Sequence, residues 1–331
     1  MKKLTIGKIR GLQQIATRDG IFTMCAMDHR GSLQSMINEK APESVSHEEM
    51  VERKLELCAI LGKYASAVLL DPLYGAAQAV SRGALPRNTG LLVSVEASGY
   101  GGGKENRLTR LLDGWSVEKI KRMGASAVKI LVYYRPDLTD LARQQLDTVS
   151  KVARDCIKYD IPFLVEPVSY PVDSEIKNPQ QFAEQRGAIV IQTARDFTAL
   201  QIDVLKAEFP ADLRFETNRT KLTELCHELD AASEVPWVIL SAGVDFEMFS
   251  KQVEIACRAG ASGFLGGRAI WQEAMHIGDT KERIKYLETV CADRLKKLIE
   301  TAVKYATPWY KKSGLPAANL AEVSPDWYRE Y

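Results

Sequence analysis

Eight times along this chain a short apolar run gives way to a stretch of helical character, and few architectures accommodate that rhythm. The runs are Ile21–Asp28, Ser66–Asp71, Gly90–Glu96, Ala127–Tyr134, Pro162–Val168, Gln201–Pro210, Trp237–Gly243 and Gly263–Arg268. They are rich in Val, Ile, Leu and aromatic residues, and they end at proline, glycine or a polar turn. The intervening stretches read as helices. SHEEM places Ser46 three residues before Glu49, the pattern of a capped N-terminus, and that helix is expected to run to about Tyr64. WSVEKIKRMG follows the third strand, then Leu138–Tyr159, Gln180–Leu200, Leu222–Ala232, Val244–Ala259 and a last helical stretch from Ile270 to about Tyr305.

This alternation predicts an α/β protein, a (β/α)8 TIM barrel built as one domain over residues 1–331. The barrel should occupy about 20–305, leaving 306–331 as a tail rich in Pro, Gly and Ser. The rival is an open doubly wound sheet, but its glycine-rich nucleotide turn after the first strand is missing. GYGGGK is no substitute, since it follows the third strand and lacks the GK[ST] ending of a phosphate loop.

Charge narrows the function. The 44 basic and 43 acidic residues leave a formal charge of +1, without the basic excess of a nucleic-acid surface. No apolar run approaches the ~20 residues that span a bilayer, and the N-terminus lacks the apolar core of a signal peptide. Neither nucleic acid nor membrane is therefore an expected partner. Six cysteines lie far apart with no CxxC pair, which reads as reduced core thiols in a cytoplasmic protein. The four histidines do not cluster, so a metal held by three imidazoles is not expected, and the reading calls for no cofactor.

The chemistry is expected where barrel enzymes carry it, at the C-terminal ends of the strands. In QIDVLKAEFP, alternation puts Val204, Lys206 and Glu208 on one face. Alone, Lys206 would read as salt-bridged to Glu208. The other ends change that: Asp28, Asp71, Glu96, Lys129 within its strand, Glu166, Ser241 with Gly243, and Gly267 with Arg268. Plain structural readings stand beside these. Asp71 before Pro72 begins a turn, Glu96 caps the next segment, Asp28 holds Arg30, and Lys129 pairs with Glu166. Taken together, two lysines and several carboxylates at one mouth suit Schiff-base chemistry. A neutral Lys206 amine would attack a ketone, favoured by burial and by Lys129 as a second cation, with Glu166 or Asp28 moving protons. Ser241, Ala242 and Gly243, with Gly267 and Arg268, read as a phosphate site of free backbone N–H groups and a forked cation.

Against this background the segments AMDHRGSL, YASAVLLDPLYG, the SGY loop, GASAVKILVYYRPD, FLVEPV, DVLKAEFP, VILSAGV and GGRAIW resemble, in order, those of class I tagatose-1,6-bisphosphate aldolases. The resemblance implies a metal-free aldolase cleaving a ketose 1,6-bisphosphate to dihydroxyacetone phosphate and glyceraldehyde 3-phosphate. It places the Schiff-base lysine on Lys206, the acid/base glutamate on Glu166 and supporting charges on Asp28 and Lys129. The implied partners are a sugar phosphate and further copies of the chain. The family has DQRG where this chain has DHRG, so His29, with Arg30, becomes a substrate-contacting candidate, expected at the substrate's far end. Two later segments, VPWVILSAGVDF and AGASGFLGGRAIW, are similar to the related sulfofructose-1-phosphate aldolases, which makes a C6 sulfonate the alternative. A sugar-phosphate-sensing barrel without turnover is the alternative outside enzymology.

Overall fold

A computed structural model describes residues 4–317 and 320–331 of the 331. All eight expected strands form, with their ends trimmed: β1 Phe22–Ala26, β2 Ala67–Leu70, β3 Gly90–Ser94, β4 Ala127–Tyr133, β5 Phe163–Val168, β6 Val204–Ala207, β7 Trp237–Leu240 and β8 Gly263–Gly266. Each pairs in parallel with its sequence neighbours, and β1 closes on β8 through Met24 opposite Leu265, giving a closed (β/α)8 barrel. Seven of the eight stop one to three residues before their expected C-terminal ends, where the chain passes into the turns of the mouth, and β5 ends at Val168 as expected.

Pleating sorts the side chains into two layers. Cys25, Val68, Val93, Val128, Val165, Leu205 and Ile239 point outward and pack against the surrounding helices. Met24, Ala26, Leu69, Leu92, Leu164, Val204, Val238 and Leu265 point inward and fill the barrel with a dry plug. Such a plug lets the next inward positions toward the mouth be charged while the floor stays closed to water.

The helices begin where the sequence places capping residues. Ser46 accepts from the Glu49 N–H at the start of His47–Leu61, and Asp245 accepts from the Met248 N–H at the start of Phe246–Arg258. Among the elements that were not expected, two lie at the N-terminal end of the barrel. Helix Ile6–Ile15 lies across the N-terminal ends of the strands, burying Ile9, Leu12 and Ile15 against the inner plug. Its Gly11 runs so close to Pro162 and the Ser126 carbonyl that a Cβ there would sit 2.5 Å from both. The tail returns to the same end: Trp309 is buried in the inner cluster and its N–H donates to the Gly20 carbonyl. Beyond it, Trp327, Tyr328 and Tyr331 are exposed, and the Gly7 N–H donates to the Tyr331 hydroxyl.

Candidate active site

Strand parity decides which polar side chains meet. On β1 the inward series Met24, Ala26 continues to Asp28, and on β3 Leu92, Ser94 continues to Glu96. On β4, β5 and β6 the same parity carries Lys129, Glu166 and Lys206 inward, one step above Ala127, Leu164 and Val204. All five line one cavity of ≈ 660 Å³ at the barrel mouth.

Within it Lys206 Nζ lies 2.6 Å from Glu166 Oε1. The other oxygen of Glu166 lies 3.0 Å from Lys129 Nζ. That ammonium also donates to Asp28 Oδ2 and Glu96 Oε1, each at 2.7 Å. Glu166 is therefore shared between two lysines, and Lys129 between three carboxylates. This corrects two expectations. Glu208 does not pair with Lys206; just past the end of β6, it accepts from the Ser169 N–H and hydroxyl and from Arg186. Lys129 is not a loose second cation beside Lys206, since three carboxylates neutralise it.

The electrostatics follow from that arrangement. Burial would strip the proton from Lys129, but Asp28, Glu166 and Glu96 together hold it well above the ordinary lysine range. Burial works to raise Glu166 and Asp28, yet the lysines win in both cases. Lys129 and Lys206 hold Glu166 below the usual carboxylate value, and Lys129, foremost, with Lys206 holds Asp28 far below it. The site is thus a set of carboxylates gathered around the Lys129 ammonium. A proton passing from Lys206 to Glu166 has only a 2.6 Å contact to cross.

The expected phosphate residues converge opposite. Ala242 and Gly243 adopt left-handed backbone, φ 47° and 78°, which turns the loop after β7 toward the mouth. The Arg268 guanidinium packs over Gly243, so tightly that a Cβ there would meet it at 3.1 Å. Arg268 opens the helix Arg268–Met275, and the Gly267 N–H reaches the Ser241 hydroxyl at 3.5 Å. Ser241, Ala242, Gly267 and Arg268 line the main cavity, while Gly243 faces a neighbouring one.

His29, expected toward the far end of a substrate, lies beside Gly267 and Trp271. Its ring stands edge-on to Trp271 at 5.0 Å and covers Gly267, where a Cβ would lie 2.9 Å from His29 Cε1. Burial, reinforced by Arg268, Lys54 and Lys206 against the pull of Asp28, lowers it to about 3, so the ring is neutral. Arg30 lines the cavity, but its guanidinium donates to the Glu96 carbonyl rather than to Asp28.

Two further residues join the site beyond those that were assigned a role in it. Glu96, read as a cap, is a third carboxylate of the site, and its Oε2 is buried without a partner. Arg186, from the helix Pro179–Thr198, reaches in to pair with Glu208 at the cavity wall. Glu96 sat at a strand end of the right parity, so its signal was present. Arg186 carried none, because a helical arginine reads as solvated surface. Asp71, by contrast, begins a turn as expected, accepting from the Leu73 and Tyr74 N–H groups.

Comparison with known proteins identifies the family. Residues 22–273 match the family model described as DeoC/LacD family aldolase. A tagatose 1,6-diphosphate aldolase of Lactococcus lactis is 30% identical over 326 residues, covering 93% of this chain and 99% of that protein. One from Enterococcus faecalis is 32% identical over 331 residues, covering 94% and 98%. Among solved structures, an archaeal fructose 1,6-bisphosphate aldolase is similar at 20% identity and a TM-score of 0.57, covering 86% of this chain and 98% of its own. Fructose-bisphosphate aldolase from Plasmodium falciparum is similar at 18% identity and a TM-score of 0.69, covering 92% and 98%. At such identities these structures speak to the fold.

Proposed function

The chain belongs to the DeoC/LacD aldolase family, and from that premise we propose that its barrel cleaves a ketose 1,6-bisphosphate, tagatose 1,6-bisphosphate, to dihydroxyacetone phosphate and glyceraldehyde 3-phosphate. The observation that carries the reading is Glu166 bridging Lys206 and Lys129 at 2.6 and 3.0 Å. Lys206 gives a proton to Glu166 and attacks C2 of the ketose. Glu166 returns the proton to the carbinolamine hydroxyl, which leaves as water, and an iminium remains on Lys206. A carboxylate then removes the C4 hydroxyl proton; the C3–C4 bond breaks and its electron pair flows to the iminium nitrogen, leaving an enamine. Glyceraldehyde 3-phosphate departs, the enamine is protonated at C3, and water releases dihydroxyacetone phosphate from Lys206. Lys129 keeps Asp28, Glu96 and Glu166 in register throughout, and Arg268 with the 241–243 loop takes the C1 phosphate. A complete set of charged groups around Lys206 supports turnover over mere sensing of a sugar phosphate. Six free, buried cysteines support a cytoplasmic setting.

The test is borohydride reduction with dihydroxyacetone phosphate, followed by peptide mapping. One adduct on Lys206 is expected; an adduct on Lys129, or none, overturns the assignment. Ketose 1-phosphates carrying phosphate, sulfonate or hydroxyl at C6, assayed with chelator present, then rank the substrates. The 1,6-bisphosphate is expected to lead, and a lead for the sulfonate would move the enzyme to sulfosugar cleavage.

A further inference from the structure

The mechanism above leaves one fully buried lysine without a task. Lys54, on the helix His47–Leu61, is wholly buried, with its ammonium 2.6 Å from Asp71 Oδ2. It also donates to two backbone carbonyls, Met27 at 2.6 Å and His29 at 2.7 Å. Those carbonyls flank Asp28 on either side. Between β1 and the helix Gly31–Ile37 the chain leaves the ladder, and the last backbone ladder bond before Asp28 runs from the Met27 N–H to Leu69. Asp28 therefore sits on a short irregular stretch whose two neighbouring peptide groups are tied to one ammonium. That ammonium is in turn tied to Asp71, whose other oxygen is fixed by the Leu73 and Tyr74 N–H groups beyond β2.

We propose that Lys54 is a positioning residue for the aldolase reaction, clamping the carbonyls of Met27 and His29 so that the Asp28 carboxylate stays within reach of Lys129 and the substrate. The proposal rests on the reading of Asp28 as part of the reacting site. Stability alone explains Lys54 poorly, because burying an ammonium is costly and a well-packed apolar pair commonly serves as well. What an apolar side chain cannot do is hold two carbonyls at one point. Displacement of a catalytic group by about 1 Å can cost up to ~100-fold in rate, so a remote residue of this kind shows in kcat. The contact with Asp28 is indirect, made through the carbonyls on either side of it.

A double-mutant cycle on kcat tests this. Lys54→Met alone would strand Asp71, so it is paired with Asp71→Asn, which keeps the turn acceptor. The paired variant is expected to lower kcat for tagatose 1,6-bisphosphate about tenfold with KM within about threefold. In an Asp28→Asn background the same pair should lower kcat by less than about threefold, because the group it positions is already disabled. Asp71→Asn alone, in which Lys54 still reaches both carbonyls, should lose less than the pair. An equal loss with and without Asp28, a loss confined to KM, or unchanged kcat overturns the proposal. Lys54→Gln with Asp71→Asn is run in parallel, since its amide retains one donor; failure of both forms to fold assigns Lys54 to the fold alone. Borohydride trapping on Lys206 in the wild-type enzyme separates the two levels: without trapping the aldolase reading fails, while trapping with an additive cycle sinks only the role of Lys54.

Discussion

Glu166 touches both lysines of the site, and that shared position ranks it above Asp28. Among the described residues Glu166 forms the ion pair with Lys206, whereas Asp28 pairs with Lys129. Glu166→Gln keeps the shape but can no longer accept a proton, and general acid–base groups typically supply about 10²–10⁴-fold in rate. Turnover should fall by that order while phosphate binding persists; Asp28→Asn should cost roughly 10- to 100-fold, in line with misplacing or weakening one supporting group. Steady-state kinetics on purified variants decide it, and a nearly normal Glu166→Gln beside a dead Asp28→Asn would exchange the roles. Lys206, Glu166, Lys129 and Asp28 were legible in the sequence because strand alternation is a strict rule and their positions share its inward phase. Glu96 obeyed the same rule, but a carboxylate before a turn has an equally good capping role. Lys54 was invisible, since a lysine in an amphipathic helix reads as solvent-facing until the packing shows it sealed.

At the scale of elements, the eight strands were recoverable because each is a short apolar run between punctuating residues, and their exact ends were not, because the last residues of such a run read alike whether they are paired or lie just past the ladder. The loops after β7 and β8 show how close packing fixes a site. A Cβ on Gly267 would lie 2.9 Å from the His29 ring and 3.2 Å from the Ala26 carbonyl, and Trp271 backs that ring. Gly267→Ala therefore overpacks the junction of β8 with the DHRG stretch, and such insertions cost about 1–3 kcal/mol. Urea unfolding should register that loss, and a midpoint equal to wild type would mean that the His29 ring yields freely. Arg268→Ala acts on the same loops by a different route. It removes a charge-assisted contact of roughly 1.5–3 kcal/mol, so kcat/KM should fall about 10- to 100-fold with unfolding unchanged. Unchanged kinetics would place the C1 phosphate elsewhere.

Across the whole molecule, chemistry and closure occupy opposite ends of one barrel. The mouth holds lysines and carboxylates that are costly to bury, and the other end is sealed by apolar side chains from helix Ile6–Ile15 and the tail. Neither seal was apparent in the sequence. The apolar residues of the first helix, Ile9, Leu12 and Ile15, are few and lie among basic ones, and PWY stands in a stretch whose Pro, Gly and Ser content reads as loop. Trp309 tests the separation. The residue is 1% exposed within the cluster of Ile9, Leu12, Ile15, Phe22 and Met24, and its backbone N–H, which an alanine would keep, donates to the Gly20 carbonyl just before β1. Trp309→Ala leaves a cavity at the barrel floor, and removing a buried Trp typically costs about 3–5 kcal/mol. The inner layer of Leu69, Leu92, Leu164, Val204, Val238 and Leu265 stands between that cavity and Lys206. Because this layer is close-packed and keeps its own strand ladder, the defect should lower stability without moving the lysines. The expected result is a large drop in the urea midpoint together with kcat/KM within about threefold of wild type at 25 °C, where the variant is still folded. A loss of activity in the folded variant, with stability intact, would show instead that the floor and the mouth are mechanically coupled through the barrel interior.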